Sequence, residues 1–129
     1  MFHLRWDILR RPWGQAPGSE RDELEDSAWH RIVLTTNQEI IGTGRLHQVD
    51  LKTAQIRYMA VKENYRSMGI GKQILLSLEE QAHSSGFKTI RLDAREIALP
   101  FYQSQGYESI RKSHVLFNAI QHIEMQKAL

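Results

Sequence analysis

The sequence predicts an α/β fold of the α+β kind, with a mixed central sheet of about six strands that contains an antiparallel meander, a βαβ crossover and a C-terminal hairpin. Three observations predict it. Three β-prone runs separated by short turns precede a glycine-bearing loop; a helix-periodic run after that loop gives way to a strand; two further strand-like runs close the chain.

Leu4, Ile8 and Leu9, with Trp6 and Trp13 nearby, recur at helical spacing until Pro12 and Gly14 interrupt them, so a short packing helix opens the chain. Gln15 to Ser27 is loop-like. Its run of Glu20, Asp22, Glu23, Glu25 and Asp26 reads as a solvated face, with attraction of a cationic amine as the sharper alternative. Trp29 to Thr35, the turn at Asn37-Gln38 and the β-prone Glu39-Ile40-Ile41 form a hairpin. Gly42 and Gly44 leave one face of its second strand bare, as at a bulge or where another group approaches closely. Gln48 to Thr53 turns the chain into a third strand, Ala54 to Val61. From Ile70 the apolar Ile74, Leu75, Leu78 and Ala82 mark a helix that Gly86 stops, with Glu79 and Glu80 among its polar positions. Phe87 to Ala94 alternates as a strand, which makes a right-handed crossover with parallel strands. Ile97 to Ser104 is a second, short helix; Pro100 belongs in a first turn, so the helix proper begins near Ala98. Tyr107 to Phe117 and Ile120 to Lys127 are the last two strands.

At 129 residues the chain reads as a single domain, 1–129. A net charge of +2 is too small to point to a polyanion despite a pI near 9.0, so nucleic acid is not an expected partner. A small nucleic-acid-binding domain draws on the pI alone. The absence of cysteine excludes a disulfide framework, a thiolate zinc site and a cysteine nucleophile, and no metal is expected. No apolar run has the length of a signal peptide or membrane span, so the expectation is a soluble, cytoplasmic protein with no membrane partner.

The stretch from Tyr58 to Lys72 joins a strand to a helix through Gly69 and Gly71. Such a junction leaves N–H groups unpaired at a helix start, where the dipole favours anions, and so makes a phosphate seat. A Walker loop fails on spacing, and Gln73 stands where it needs Ser or Thr. A dinucleotide fingerprint fails because Ile74 occupies its third glycine position and a meander precedes the loop.

Arg66-Ser67-Met68-Gly69-Ile70-Gly71 resembles the Arg/Gln-x-x-Gly-x-Gly/Ala signature of the GNAT superfamily of acetyltransferases. Ala98-Leu99-Pro100-Phe101-Tyr102-Gln103-Ser104-Gln105-Gly106-Tyr107 is similar to the same family's Ala-x-x-Phe-Tyr-x-x-x-Gly-Phe/Tyr. Two motifs in order, separated by a helix and a strand, are far more specific than a lone Gly-x-Gly. His30 and the closing His122-Ile123-Glu124-Met125 make the small ElaA-like branch the most similar. Three departures accompany the resemblance: the family's usual first strand is missing, Ile8 to Trp13 differs from the branch pattern, and Arg95 replaces a common Asn.

The resemblance implies acetyl-CoA as co-substrate and an amine acceptor, either a small molecule or a peptide or protein. It implies that Met59, Ala60 and Val61 line the pantetheine and thioester, and that Arg66, Ser67, Met68, Gly69, Ile70, Gly71 and Lys72 hold the pyrophosphate. With no cysteine available, transfer would be direct. Tyr102 matches the family's general acid, and His30 and His122 lead as bases over His47, Glu96 and Glu124. The rival reading is a degenerate domain that binds acyl-CoA or a partner without transferring anything. A missing first strand leaves a sheet edge that a homodimer would cover.

Overall fold

In the computed structural model, which describes residues 1–129, six strands form one mixed sheet in the order β1-β2-β3-β4-β6-β5. The meander is β1 (Trp29–Leu34), β2 (Ile40–Gln48) and β3 (Thr53–Val61), and α2 (Ile70–Ser84) carries the chain to β4 (Thr89–Arg95), parallel to β3. The closing hairpin, β5 (Glu108–Leu116) and β6 (Ile120–Ala128), is inserted so that β6 pairs with β4. α1 (Phe2–Leu9) precedes the sheet, and α3 (Leu99–Ser104) follows β4. The predicted fold class holds. Pro100 sits in the first turn of α3, where its missing N–H costs nothing, and a 3₁₀ turn at Glu96–Ala98 leads into it.

The bare face at Gly42 and Gly44 is where α2 presses against the sheet. A Cβ on Gly44 would lie 2.6 Å from the Met59 sulfur and 2.7 Å from Ile74 Cγ2; one on Gly42 would lie 2.9 Å from Ile74 Cδ1. Ile74, Leu75 and Leu78 of α2 therefore sink among Leu46, Ile56, Ile90, Leu92 and Met125, which form the core. Gly44→Val should cost about 3 kcal/mol by overpacking and lower the thermal midpoint by roughly 10 °C. An unchanged melting curve would mean that α2 withdraws without loss. Glu79, polar in the sequence pattern, is also buried here; it accepts hydrogen bonds from the Tyr107 hydroxyl at 2.8 Å and from Lys127 Nζ at 3.2 Å.

Strand alternation sends Thr43, Arg45 and His47 to the opposite face, beneath α1 and the acidic loop. Here the sequence reading needs correcting. Asp22 and Glu25 are neither a solvated face nor a lure for a cationic substrate. They are the counter-ions of two fully buried arginines: Arg45 donates to both Asp22 oxygens at 2.6 and 2.9 Å and lies 3.1 Å from Glu25, and Arg5 donates to Glu25 at 2.7 Å. Burial alone would raise the Asp22 carboxyl. Hydrogen bonds from Arg45 and the Leu24 N–H, with the charges of Arg45 and Arg57, outweigh it and hold the group down to about 2. Only Glu23 and Asp26 of the run stay exposed.

Candidate active site

The parallel seam of the sheet opens partway along. β3 and β4 pair from Thr53↔Thr89 to Ile56↔Leu92 and then part. On its other side β3 pairs Arg45↔Arg57 and Thr43↔Ala60, so Gly44 alone faces Tyr58 and Met59. That is a β-bulge, and it bends β3 away from β4. Tyr58 takes φ +58, a conformation that costs a bulky side chain about 1–2 kcal/mol. Its ring is gripped by the guanidiniums of Arg5, Arg57 and Arg45 at 4.1, 4.5 and 4.9 Å from the centroid. The gap is a cleft of about 380 Å³ between Gln55–Val61 and Leu92–Arg95, roofed by the end of α1, with Arg66, Tyr102, His114 and His122 on its walls.

Beyond the bulge, the Lys62 N–H donates to Ile41 O on β2 at 2.7 Å. Alternation then turns the Ala60 N–H toward β2 as well and the Val61 N–H and C=O toward the cleft. Arg66 Nε donates to that Val61 carbonyl at 3.2 Å. Of Ala60 and Val61, only Val61 turns its N–H to the cleft.

In the loop, Ser67 and Gly69 take φ +65 and +79. No N–H from Ser67 through Lys72 has a hydrogen-bond partner in the protein, and the first bond of α2 is Gln73 N–H to Gly69 O at 3.0 Å. Unpaired donors at the positive end of a 15-residue helix, flanked by the exposed cations Arg66 and Lys72, fit a pyrophosphate.

α3 delivers Tyr102 to the cleft wall, packed against Phe101 and Tyr107 at centroid distances of 5.0 and 5.8 Å. Burial pushes its phenol well above the usual tyrosine value, and the charge of Arg95 only partly opposes this.

Residues 1–107 match the acetyltransferase (GNAT) family. The chain belongs to this family. As a GNAT acetyltransferase it is an acetyl-CoA-dependent acyltransferase. An uncharacterized N-acetyltransferase of Bacillus subtilis, YjcF, is 29% identical over 126 residues, 98% of this chain and 89% of its own. Among solved structures, a putative N-acetyltransferase from Lactobacillus plantarum superposes with a TM-score of 0.86 at 24% identity, over 99% of this chain and 88% of its own. Escherichia coli ElaA does so at 0.79 and 23%, over 97% and 85%. A GNAT acetyltransferase from Elizabethkingia anophelis, solved with acetyl-CoA bound, does so at 0.77 and 20%, over 99% and 90%. At these identities the structures share the fold.

The candidate bases of this acetyltransferase separate by position. His122 lines the cleft; its Nδ1 lies 3.0 Å from Ile120 O, a contact that places the proton on Nδ1 and the lone pair on Nε2. His114 stacks on it at 4.2 Å, and burial, then the His114 charge, push the His122 pKa below its ordinary value. His30 lies on β1, outside the cleft lining, with Nε2 2.8 Å from Glu25 O. His47 Nδ1 is 3.1 Å from Arg45, and Glu124 sits 3.6 Å from Arg91. Neither these two nor Glu96 lines the cleft.

Among the cleft residues that escaped the sequence reading are Asp93, His114 and Arg10. Asp93 Oδ2 accepts from Gln55 at 3.4 Å, while its buried Oδ1 has no partner in the protein. Its signal was present, since Arg91, Asp93 and Arg95 alternate with the core residues of β4. For His114 there was none, because the β5–β6 pairing carries two register shifts. No group of three or more His, Asp and Glu side chains is arranged to hold a metal ion, and no helix is long and apolar enough to cross a membrane.

Proposed function

We propose that this acetyltransferase moves an acetyl group from acetyl-CoA directly to the amine of a small molecule, or of a peptide or protein, within one ternary complex. The observation that carries the reading is the opened seam: past Ile56↔Leu92 the β3 backbone has no β4 partner, so the Val61 N–H opens on a cleft that Arg66 and His122 also line. Acetyl-CoA supplies an activated thioester. The N–H groups of Ser67 to Lys72, with Arg66 and Lys72, bind the pyrophosphate, and Met59 and Val61 border the pantetheine path. The Val61 N–H donates to the acyl oxygen, where negative charge grows. An amine with a pKa of roughly 8 to 10 arrives protonated, so His122 Nε2 takes its proton while Asp93 holds the ammonium in place. As the N–C bond forms and the C–S bond breaks, coenzyme A leaves as the thiolate, which accepts a hydrogen bond from Tyr102 and takes up the second proton that the nitrogen sheds on becoming an amide.

An acceptor screen that follows coenzyme A release tests the reading. Stabilisation by acetyl-CoA with no thiol release across an amine panel would sink it. His122→Gln should lower kcat about 100-fold and move the acid limb of its pH profile upward. In the wild type that limb should follow an imidazole that burial, then the His114 charge, hold below its ordinary value; without the base, the amine's own higher pKa governs. A variant whose acid limb stays in place would exclude His122. Pairing with a second copy would use β1 or β5, the two edges of the sheet; sedimentation as a monomer at micromolar concentration would reject it.

A further inference from the structure

Two cleft arginines lack the counter-ions that the other buried arginines have. Arg5 and Arg45 are matched to Glu25 and Asp22. Arg10 is only 7% exposed, yet its bonds go to carbonyls alone: Nε donates to Ser19 O at 3.1 Å and a terminal nitrogen to Leu9 O at 3.2 Å. Arg95 donates to the same Leu9 oxygen at 3.3 Å. Two guanidiniums therefore converge on one carbonyl at the C-terminal end of α1, and both line the cleft. A helix end offers roughly half a negative charge. One buried and one half-buried cation are left without an ion-pair partner, with only the more distant Glu20 charge acting on Arg10, an arrangement that costs free energy unless something anionic completes it. Burial pulls both below the usual arginine value, and Arg10 and Arg66 add to this at Arg95.

The cleft is polarised. Asp93 and His122 lie on the same side of the β4–β6 pair as Arg95, and the register sets Arg95 opposite His122. Asp93 and His122 suit an ammonium and its proton; Arg10 and Arg95 suit an oxyanion. Guanidinium forks grip a planar or tetrahedral oxyanion through paired N–H donors, which a point charge does not.

We propose that Arg10 and Arg95 form an anion subsite in the acceptor half of the cleft, so that the acceptor is a small amine that also carries a carboxylate or phosphate. The inference rests on the acetyl-transfer reading. It distinguishes the acceptor from polyamines and other purely cationic amines, which would meet two arginines with no anion to offer.

The test uses matched acceptors: an α-amino acid against its amide, and an amino-sugar phosphate against the unphosphorylated sugar. The wild type should favour the anionic member of at least one pair by at least about ten-fold in kcat/KM. Whichever pair shows it tells carboxylate from phosphate. In Arg10→Gln and Arg95→Gln that ratio should fall toward one, with the loss in the KM of the anionic acceptor rather than of acetyl-CoA. Arg10→Lys, which keeps the charge but not the fork, should recover part of it. Equal or better turnover of the neutral members overturns the subsite. So does a rise confined to the KM of acetyl-CoA, which would assign the arginines to the co-substrate. If no amine is turned over, the transfer reading fails, and calorimetry on the coenzyme A-loaded protein still decides the subsite. Inorganic phosphate or an N-acetylated amino acid should bind the wild type and not Arg10→Gln or Arg95→Gln; absence of binding to the wild type would overturn it.

Discussion

Tyr102→Phe should lower kcat about 100-fold while the KM for acetyl-CoA stays nearly constant. The departing thiol has a pKa of roughly 8.5, and burial lifts the Tyr102 phenol well above its usual value, so full proton delivery would run uphill. What the hydroxyl can supply is a hydrogen bond that strengthens as charge arrives on sulfur, worth about 3 kcal/mol in a water-excluded site, or about 100-fold in rate. The raised phenol also predicts that Tyr102 contributes no basic limb to the pH–rate profile below pH 10, since it stays protonated throughout. Phenylalanine keeps the ring contacts to Phe101 and Tyr107, so the melting temperature should hold while the rate falls. Acyl donors with a more acidic thiol should feel the substitution less. A kcat within three-fold of wild type would remove the role.

The elements legible in the sequence were those whose pattern is local. Ile74, Leu75 and Leu78 recur on one helical face, Gly69 and Gly71 punctuate one junction, and the bare pair Gly42 and Gly44 announced a close approach that the Met59 and Ile74 contacts fulfil. The loop motif and the Tyr102 motif were legible for the same reason. What escaped depends on pairing across long separations. Gly44 announced a bulge in β2, but the extra residue lies across from it in β3 at Tyr58, whose positive φ is held by arginines from α1, β2 and β3 rather than by a permissive residue. The partners of Asp22 and Glu25 lie 23 and 20 residues away, at Arg45 and Arg5, so the run looked solvated. His30 and His122 looked equivalent as bases. Three intervening strands, and the Glu25 carbonyl on His30, separate them.

Arg45→Met should be the most destabilising single change on the α1 face, by about 3–5 kcal/mol, or roughly 10–20 °C in thermal midpoint. Methionine fills much of the aliphatic volume, so the loss reports the charge rather than a cavity. With Arg45 gone, Asp22 and Glu25 keep only Arg57 and Arg5 as cationic partners, and the acidic loop loses its anchor on β2. The pH dependence separates this from mere misfit. In the wild type Asp22 titrates near 2 against an unperturbed 3.8, so the folded state binds fewer protons than the unfolded one across that interval. Its stabilisation is therefore complete above pH 3.8 and disappears as the pH falls toward 2. The gap between wild type and Arg45→Met should be widest at neutral pH and should narrow in acid, measured as denaturant midpoints at pH 7 and pH 3. A gap of constant size would mean that packing, not the ion pair, carries Arg45. Removing Asp22 together with Arg45 should cost less than the sum of the two single losses, because each change alone strands the other's charge. Arg45 also lies over the Tyr58 ring, so the same substitution loosens the grip that holds the bulge open, and the KM for acetyl-CoA should rise even in the fraction that remains folded.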